Sequence, residues 1–174
     1  METKKYLDNY YQSYDEENRL LSRHGMVEYL TTMCYIEKYL KSGMRIIEIG
    51  AGTGRYSHAL AQKGYQVDAV ELVEHNIEIF RQHTLPDESV TITQGNATDL
   101  SVFADATYNI TLLLGPMYHL FTGEEQQRAL SEAIRVTADG GVIFAAYCMG
   151  DSSILSYGFV RGHIHEIINK CMID

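Results

Sequence analysis

The chain has 174 residues, 45% of them hydrophobic and 21% charged, which is typical of one globular domain with its own core. Its net charge of −9 disfavours nucleic acid as a substrate, because an acidic protein repels a phosphate backbone, and favours small molecules. No apolar run approaches the roughly 18 residues of a membrane span, and the N-terminus lacks the apolar core of a signal peptide. Three scattered cysteines without a CxxC pair predict reduced thiols, a cytoplasmic location and no metal site.

Residues 1–43 are expected to form an N-terminal helical arm. The arm begins with a polar stretch that is rich in tyrosine. A clearer helix follows, because apolar residues recur at helical spacing at Tyr29, Met33, Ile36 and Leu40. The pair Ser42-Gly43 predicts the end of this helix, since glycine suits the left-handed residue that follows a helix.

Strands and helices then alternate through residues 44–150. Short apolar runs predict strands at 44–49, 66–71, 89–94, 108–114 and 141–148. Helices are predicted between them at 54–63, 74–84 and 123–137, with a turn at 100–105. Continuously apolar strands suit a parallel sheet that is covered on both faces. The alternation therefore predicts one doubly wound, Rossmann-like α/β domain.

Two of these helices carry additional support in the sequence. Val73, Ile77, Phe80 and Thr84 fall on one face of the second helix. In the last helix, Thr122 and Glu125 form a predicted capping box, and Asp139-Gly140 predicts the turn into the fifth strand. Residues 151–174 are expected to form a helical segment.

A glycine-rich loop follows the first strand and carries the strongest functional signal. Glycines at 50, 52 and 54 allow a tight turn and close approach to a ligand, and the following helix offers free N–H groups to an anion. A nucleotide-like ligand is the first hypothesis. The dinucleotide fingerprint needs a small residue at position 55, where this chain has Arg55, so a nicotinamide-dependent oxidoreductase is the least favoured alternative.

The spacing E-x-G-x-G-x-G, from Glu48 to Gly54, resembles motif I of the class I S-adenosylmethionine-dependent methyltransferases. Three further segments resemble this family at the expected spacing: Glu71 at the end of the second strand, residues 94–99 after the third, and residues 115–120 after the fourth. The last segment looks like the GPxYHL signature of a bacterial small-molecule branch, which residues 14–20 also resemble. The resemblance covers most of residues 10–150.

This resemblance implies a sheet of order 3-2-1-4-5 with two N-terminal helices, and methyl transfer from S-adenosylmethionine to a small molecule. Glu48 would contact the ammonium of the cofactor, Arg55 its carboxylate and Glu71 its ribose. Asn96 and Ala97 would bind the adenine. The remaining expected cofactor residues are Gly50, Ala51, Gly52, Gly54, Tyr56, Leu72, Gly95, Leu114, Gly115, Tyr14 and Arg19.

Tyr118 and His119 are the proton-transferring side chains expected near the methyl group. Departure of the neutral thioether needs no acid, so a base matters only where the acceptor must lose a proton. His119 suits that role, because imidazole titrates near neutral pH. The alternative is that His119 caps the following helix or shapes the pocket.

The chain departs from the family pattern in two places. Asn109 stands where many relatives carry aspartate, which we interpret as a solvent-edge or packing change. The sixth and seventh strands of the family are not readable, so the chain resembles a shortened version or an N-terminal fragment. A cofactor-binding module without turnover is therefore an alternative function. The exposed fifth strand predicts a homodimer through this edge, or cover by residues 152–172.

Overall fold

The computed structural model describes Leu7, residues 22–147, Met149, Asp151 and residues 154–166. The helices within these residues include α1 (Arg23–Glu37), α2 (Arg55–Gln62), α3 (Glu74–His83) and α4 (Gly123–Val136). The strands are β1 (Arg45–Ile49), β2 (Gln66–Glu71), β3 (Val90–Gln94), β4 (Tyr108–Leu113) and β5 (Thr137–Ala145). A 3₁₀ turn, Pro116–Tyr118, follows β4. The expected cofactor residues Tyr14 and Arg19 lie outside the described residues.

The five strands form one parallel sheet of order β3-β2-β1-β4-β5. This confirms the predicted fold class and strand order. The chain first builds outward from β1 to β3 and then returns to place β4 on the other side of β1. Ligands bind to such sheets at the carboxyl ends of the strands beside this reversal. The loops after β1 and β4, which flank this reversal, are therefore the expected position of a ligand site.

Helices cover both faces of the sheet. On one face, Met33 and Ile36 of α1 and Leu60 of α2 pack against Ile46 and Ile110. The opposite face packs against α4 through a second cluster that includes Ile47, Ile49, Leu113, Ala129 and Ala133. The central strands β1 and β4 are therefore buried on both sides, as their continuously apolar sequences predict.

Two element ends differ from the sequence prediction. Helix α1 ends at Glu37, before Ser42-Gly43, because Lys38 and Tyr39 already donate to the carbonyls of Tyr35 and Ile36 in a tighter turn. Strand β5 covers Thr137–Ala145 and not 141–148, because Thr137 pairs with Tyr108 directly after α4. An irregularity that contains Gly140, at φ +74°, then separates this pair from the regular pairing. The capping box of Thr122 and Glu125 is confirmed.

Asn109 has a structural role at the amino end of the sheet. Its Oδ1 accepts a hydrogen bond of 2.9 Å from the backbone N–H of Arg45. The contact joins β4 to the start of β1 at the edge opposite the glycine loop. It agrees with the interpretation of this residue as a local packing change.

Strand β5 is one of the two edge strands of the sheet, and none of its residues is fully buried. It pairs with β4 only, and no strand follows Ala145 among the described residues. The chain continues through exposed Tyr147 and Met149 to a π-helical turn, Ile154–Val160. No helix in the described part of the chain is long and apolar enough to cross a membrane.

Candidate functional site

The glycine loop lies between β1 and α2 at the carboxyl edge of the sheet. Gly50, Gly52 and Gly54 have φ values of +76°, +57° and +90°, in the region that L side chains rarely adopt. The N–H groups of Gly50 and Ala51 donate to the carbonyl of Val70 at 2.8 and 3.0 Å. These bonds fix the loop against the end of β2.

Two of these glycines also permit close packing. A Cβ on Gly50 would lie 2.6 Å from Cδ of Pro116, so the loop contacts the turn after β4. A Cβ on Gly54 would lie 2.4 Å from the ring of Phe80 on α3. Gly54 therefore permits the close packing against a helix. In the dinucleotide fingerprint, the small residue at position 55 has this role.

Glu71 ties the glycine loop to the end of β2. Its Oε2 accepts from the N–H of Gly52 at 2.8 Å, and its Oε1 accepts from those of Leu72 and Val73 at 2.9 Å each. Burial raises the pKa of Glu71, while these N–H bonds act in the opposite direction. The carboxylate expected to bind ribose thus also orders the loop around it.

Glu48 is a second buried carboxyl group, on β1 directly before the loop. Its Oε2 accepts from the hydroxyl of Ser57 at 2.5 Å. Burial raises the pKa of Glu48 to about 8, the hydrogen bonds from Ser57 oppose this shift, and the nearby charge of Glu71 adds to it. At neutral pH this environment therefore favours the protonated form of Glu48, and a cationic ligand group would favour the carboxylate.

Arg55 begins α2 and turns toward α1. Its guanidinium carbon lies 4.8 Å from the ring centroid of Tyr29, and the Tyr29 ring lies 5.2 Å from that of Tyr56. The Nε atom of Arg55 is buried and has no hydrogen-bond partner. Tyr56 itself is a buried core residue.

The segment after β3 joins the site through the backbone. The N–H of Gly95 donates to the carbonyl of Glu71 at 2.9 Å, and Ala97 is buried. Oδ1 of Asn96 accepts from the N–H of Thr98 at 3.0 Å, so this side chain stabilises its own turn. Its amide nitrogen remains a donor for a ligand at this edge.

The segment after β4 forms the other side of the site. Leu114 and Gly115 are partly buried, and a Cβ on Gly115 would lie 3.1 Å from the carbonyl oxygen of Gly50. His119 is also partly buried, which lowers the pKa of its imidazole by disfavouring the charged form. Tyr118 is exposed. A neutral His119 can accept a proton, as a base requires.

Three polar residues of α2 and its surroundings were not predicted from the sequence. Ser57 binds Glu48, as described above. Nδ1 of His58 lies 2.7 Å from Oε2 of Glu88, and the His58 ring lies 4.3 Å from that of Phe80. Position 57 is one helical turn after Gly54, and this spacing would have indicated Ser57. The pairing of His58 with Glu88, 30 residues away, had no signal in the sequence.

The chain matches a protein family model and is similar to a known methyltransferase. A family model described as a methyltransferase domain matches residues 46–141, which is more than half of the chain. A demethylmenaquinone methyltransferase from Clavibacter sepedonicus is 32% identical over 138 residues, covering 78% of this chain and 54% of that protein. The chain thus spans about half the length of this relative.

Two further proteins extend the comparison. An S-adenosyl-L-methionine-dependent Diels-Alderase from Talaromyces variabilis is 28% identical over 106 residues, covering 59% of this chain and 35% of that protein. Among solved structures, a protein from Pyrococcus horikoshii OT3 superposes with a TM-score of 0.67 at 24% identity, covering 78% of this chain and 63% of that chain. This last match supports the fold.

Proposed function

Because the chain belongs to the methyltransferase domain family, we propose that it binds S-adenosylmethionine at the glycine loop and transfers the methyl group to a small molecule. The observation that carries the proposal is the pair of buried carboxyl groups on either side of this loop. Glu48 lies before it with a raised pKa and no cationic partner among the described residues, and Glu71 binds it through Gly52. The pair suits a ligand with one cationic end and one polar end.

Each of the two carboxyl groups is proposed to bind a different part of the cofactor. An ammonium group beside Glu48 would replace the proton on this carboxyl group with an ion pair. Glu71 is the proposed acceptor for the ribose hydroxyls, which would share its two oxygens with the three backbone donors and with Asn76. The further proposed contacts are Gly50, Ala51, Gly52, Gly54, Arg55, Tyr56, Leu72, Gly95, Asn96, Ala97, Leu114, Gly115, Tyr14 and Arg19.

When bound, S-adenosylmethionine supplies a methyl group that is activated by its sulfonium. The contribution of the chain is position and orientation, because displacement at carbon needs the acceptor in line with the breaking bond. His119 is the proposed base for acceptors that must lose a proton, and Tyr118 is the residue beside it that borders the acceptor. The lowered pKa keeps His119 neutral at physiological pH.

Isothermal titration of the folded chain tests the cofactor proposal. We expect binding of S-adenosylmethionine and S-adenosylhomocysteine and no thermal shift with NAD or NADP. Absence of binding by the folded chain would refute the proposal. A shift with a nicotinamide cofactor alone would restore the oxidoreductase alternative.

Turnover is tested by formation of S-adenosylhomocysteine against a panel of small nucleophiles. The name of the Clavibacter relative makes quinone-related compounds the first class to include. We expect His119→Gln to lower kcat about 100-fold for an acceptor that must lose a proton, without changing the Kd of the cofactor. Tyr118→Phe is the matched control at the neighbouring position, with a smaller loss. An unchanged kcat in His119→Gln would leave His119 with a structural role.

A second candidate function is cofactor binding without methyl transfer. It is favoured by the similarity to a protein named as an S-adenosyl-L-methionine-dependent Diels-Alderase. Cofactor binding without S-adenosylhomocysteine formation across the panel would favour this alternative. Turnover with any acceptor would exclude it.

The proposal includes a homodimer and a cytoplasmic location. The homodimer is supported by the single neighbour of β5 and by the exposed side chains of Tyr147 and Met149 beyond it. The location is supported by the odd and scattered set of three cysteines in the sequence, and by Cys34, which is free and exposed.

A further inference from the structure

Among the described residues, Arg55 is a cation that contacts an aromatic ring and forms no ion pair with a carboxylate. Its guanidinium carbon lies 4.8 Å from the Tyr29 ring centroid, within the range of a cation–π contact. No carboxylate of the described residues lies within ion-pair distance of it, and its Nε is buried without a partner. The side chain therefore retains donors for an anionic group.

The Tyr29 ring is fixed by the core. It packs beside the cluster that joins α1 and α2 to the sheet, and it lies 5.2 Å from the buried Tyr56 ring at an interplanar angle of 40°. A fixed ring restricts the plane of the guanidinium that stacks on it. Restricting a flexible side chain before binding lowers the conformational entropy lost on binding.

We infer that Tyr29 is a positioning residue, whose ring holds the Arg55 guanidinium at the start of α2 to receive the carboxylate of the cofactor. The inference rests on the proposed function, because it assigns one group of the cofactor to one side chain. The planar fork of arginine matches a carboxylate with two parallel hydrogen bonds. The positive end of the α2 helix dipole favours the same negative charge. Helix α1 thereby contributes to cofactor affinity through Arg55.

A comparison of two ligands isolates this contact. Decarboxylated S-adenosylmethionine keeps the adenosine, sulfonium and amino groups and lacks the carboxylate. We expect the unmodified chain to prefer S-adenosylmethionine over this analogue by about tenfold or more, as for hydrogen bonds to charged groups. Arg55→Gln is expected to abolish the preference, and Arg55→Lys to keep only part of it, because lysine lacks the planar fork.

The ring is tested with Tyr29→Leu, which removes the π face and keeps an apolar side chain. We expect the preference for the carboxylate to fall about twofold to fivefold, as for an exposed cation–π contact. Tyr29→Phe keeps the ring and should keep the preference. Tyr39→Leu is the matched control, since Tyr39 packs on Phe144 at 5.8 Å and does not contact Arg55. Thermal melting confirms that each variant is folded.

The outcomes separate the inference from the proposed function. Equal weakening of both ligands by Tyr29→Leu would show a structural role only and would refute the inference. So would an unchanged ligand ratio in Arg55→Gln, which tests the guanidinium even where Tyr29→Leu does not fold. Failure of the unmodified chain to bind either ligand would refute the proposed function, and the inference with it.

Discussion

The two sides of the sheet differ in how completely the chain covers them. On the β2 side of the glycine loop, Glu48 and Glu71 are buried and hydrogen bonded, and Phe80 seals the space beside Gly54. On the β5 side, the strand has one neighbour and its apolar side chains are only partly buried. We call the glycine loop and the ends of β1 and β2 the finished half of the sheet, and β5 with the residues after it the open half. Strand β3, at the other edge, also pairs with one strand only.

This difference has a functional meaning. Cofactor binding needs a loop whose backbone is held in place before the ligand arrives, and the buried contacts of β1 and β2 provide that. Acceptor choice in this fold comes from site features that the fold alone does not specify. The finished half therefore suits cofactor binding, and the open half is available to other parts of a protein or to a second copy.

Substitutions at Ile47 and Ile143 compare most directly how much a central strand and strand β5 contribute to stability. Both occupy one cross-strand row, because Thr111 pairs with Ile47 on one side and with Ile143 on the other. Ile47 is completely buried, whereas Ile143 is partly buried against the same cluster. We expect Ile47→Ala to lower the free energy of unfolding by about 2–5 kcal/mol, and Ile143→Ala by about 1–2 kcal/mol, in urea denaturation.

Equal losses in the two variants would contradict the contrast, because they would mean that the β5 side is covered as well as the centre. The measurement should be repeated at several protein concentrations. A cost of Ile143→Ala that grows with concentration would identify a second copy as the cover.

The pKa of Glu48 predicts a pH dependence of stability. This pKa is about 8 in the folded chain against an ordinary 4.5, so the folded chain binds more protons between these values. The contribution of Glu48 to stability is then fully present below pH 4.5, is lost as pH rises from 4.5 to 8, and stays absent above 8. Between pH 5 and pH 9, we expect the free energy of unfolding of Glu48→Gln to decrease by roughly 2–4 kcal/mol less than that of the unmodified chain. Urea denaturation at each pH measures it.

The control for this titration is Glu124→Gln, since Glu124 is exposed in the first turn of α4. Its stability profile should run parallel to that of the unmodified chain. A parallel profile for Glu48→Gln as well would contradict the assignment. With cofactor present, the ammonium should favour the ionised Glu48 and shift the fall to lower pH.

Gly54 and Gly64 form a matched pair of glycines. Their φ values are +90° and +89°, but a Cβ on Gly54 would meet Phe80 while one on Gly64 has nothing within 4 Å. Alanine in this conformation costs about 1–2 kcal/mol at either position. We expect Gly54→Ala to cost about 1–3 kcal/mol more, from the contact with Phe80. Equal losses would show that conformation alone requires the glycine, and Phe80→Leu should recover part of any excess.

The sequence was sufficient for the fold because its signals are local and repeated. Apolar runs of β1 and β4, the capping box of Thr122 and the glycine turns each act within a few residues. The start of β5 was predicted four residues late because pairing of Thr137 with Tyr108 depends on tertiary contact, which no local pattern encodes. The same holds for the early end of α1, where Leu40 keeps the apolar period although the helix has stopped.

In the site as well, local features could be predicted from the sequence and tertiary contacts could not. The glycine loop and Glu71 follow from spacing, and the structure joins them through the N–H of Gly52. The stacking of Arg55 on Tyr29 was beyond the sequence, because it joins two helices whose relative position only packing decides. The roles of the individual cofactor contacts stay predictions until ligand binding is measured.

The open half can be tested at its most exposed point. Tyr147 follows β5 and is 68% exposed, and a large aromatic side chain beside an unpaired strand edge favours association. We expect Tyr147→Lys to raise the Kd of the dimer about tenfold, or about 1.4 kcal/mol, in light scattering over a range of concentrations. Stability of the monomer should change by no more than about 0.5 kcal/mol. Val102→Lys, at a residue 75% exposed on the loop after β3, is the control and should leave association unchanged. An unmodified chain that stays monomeric at every concentration would rule out the dimer. The residues beyond β5 would then be the remaining candidate for covering the exposed edge of this strand.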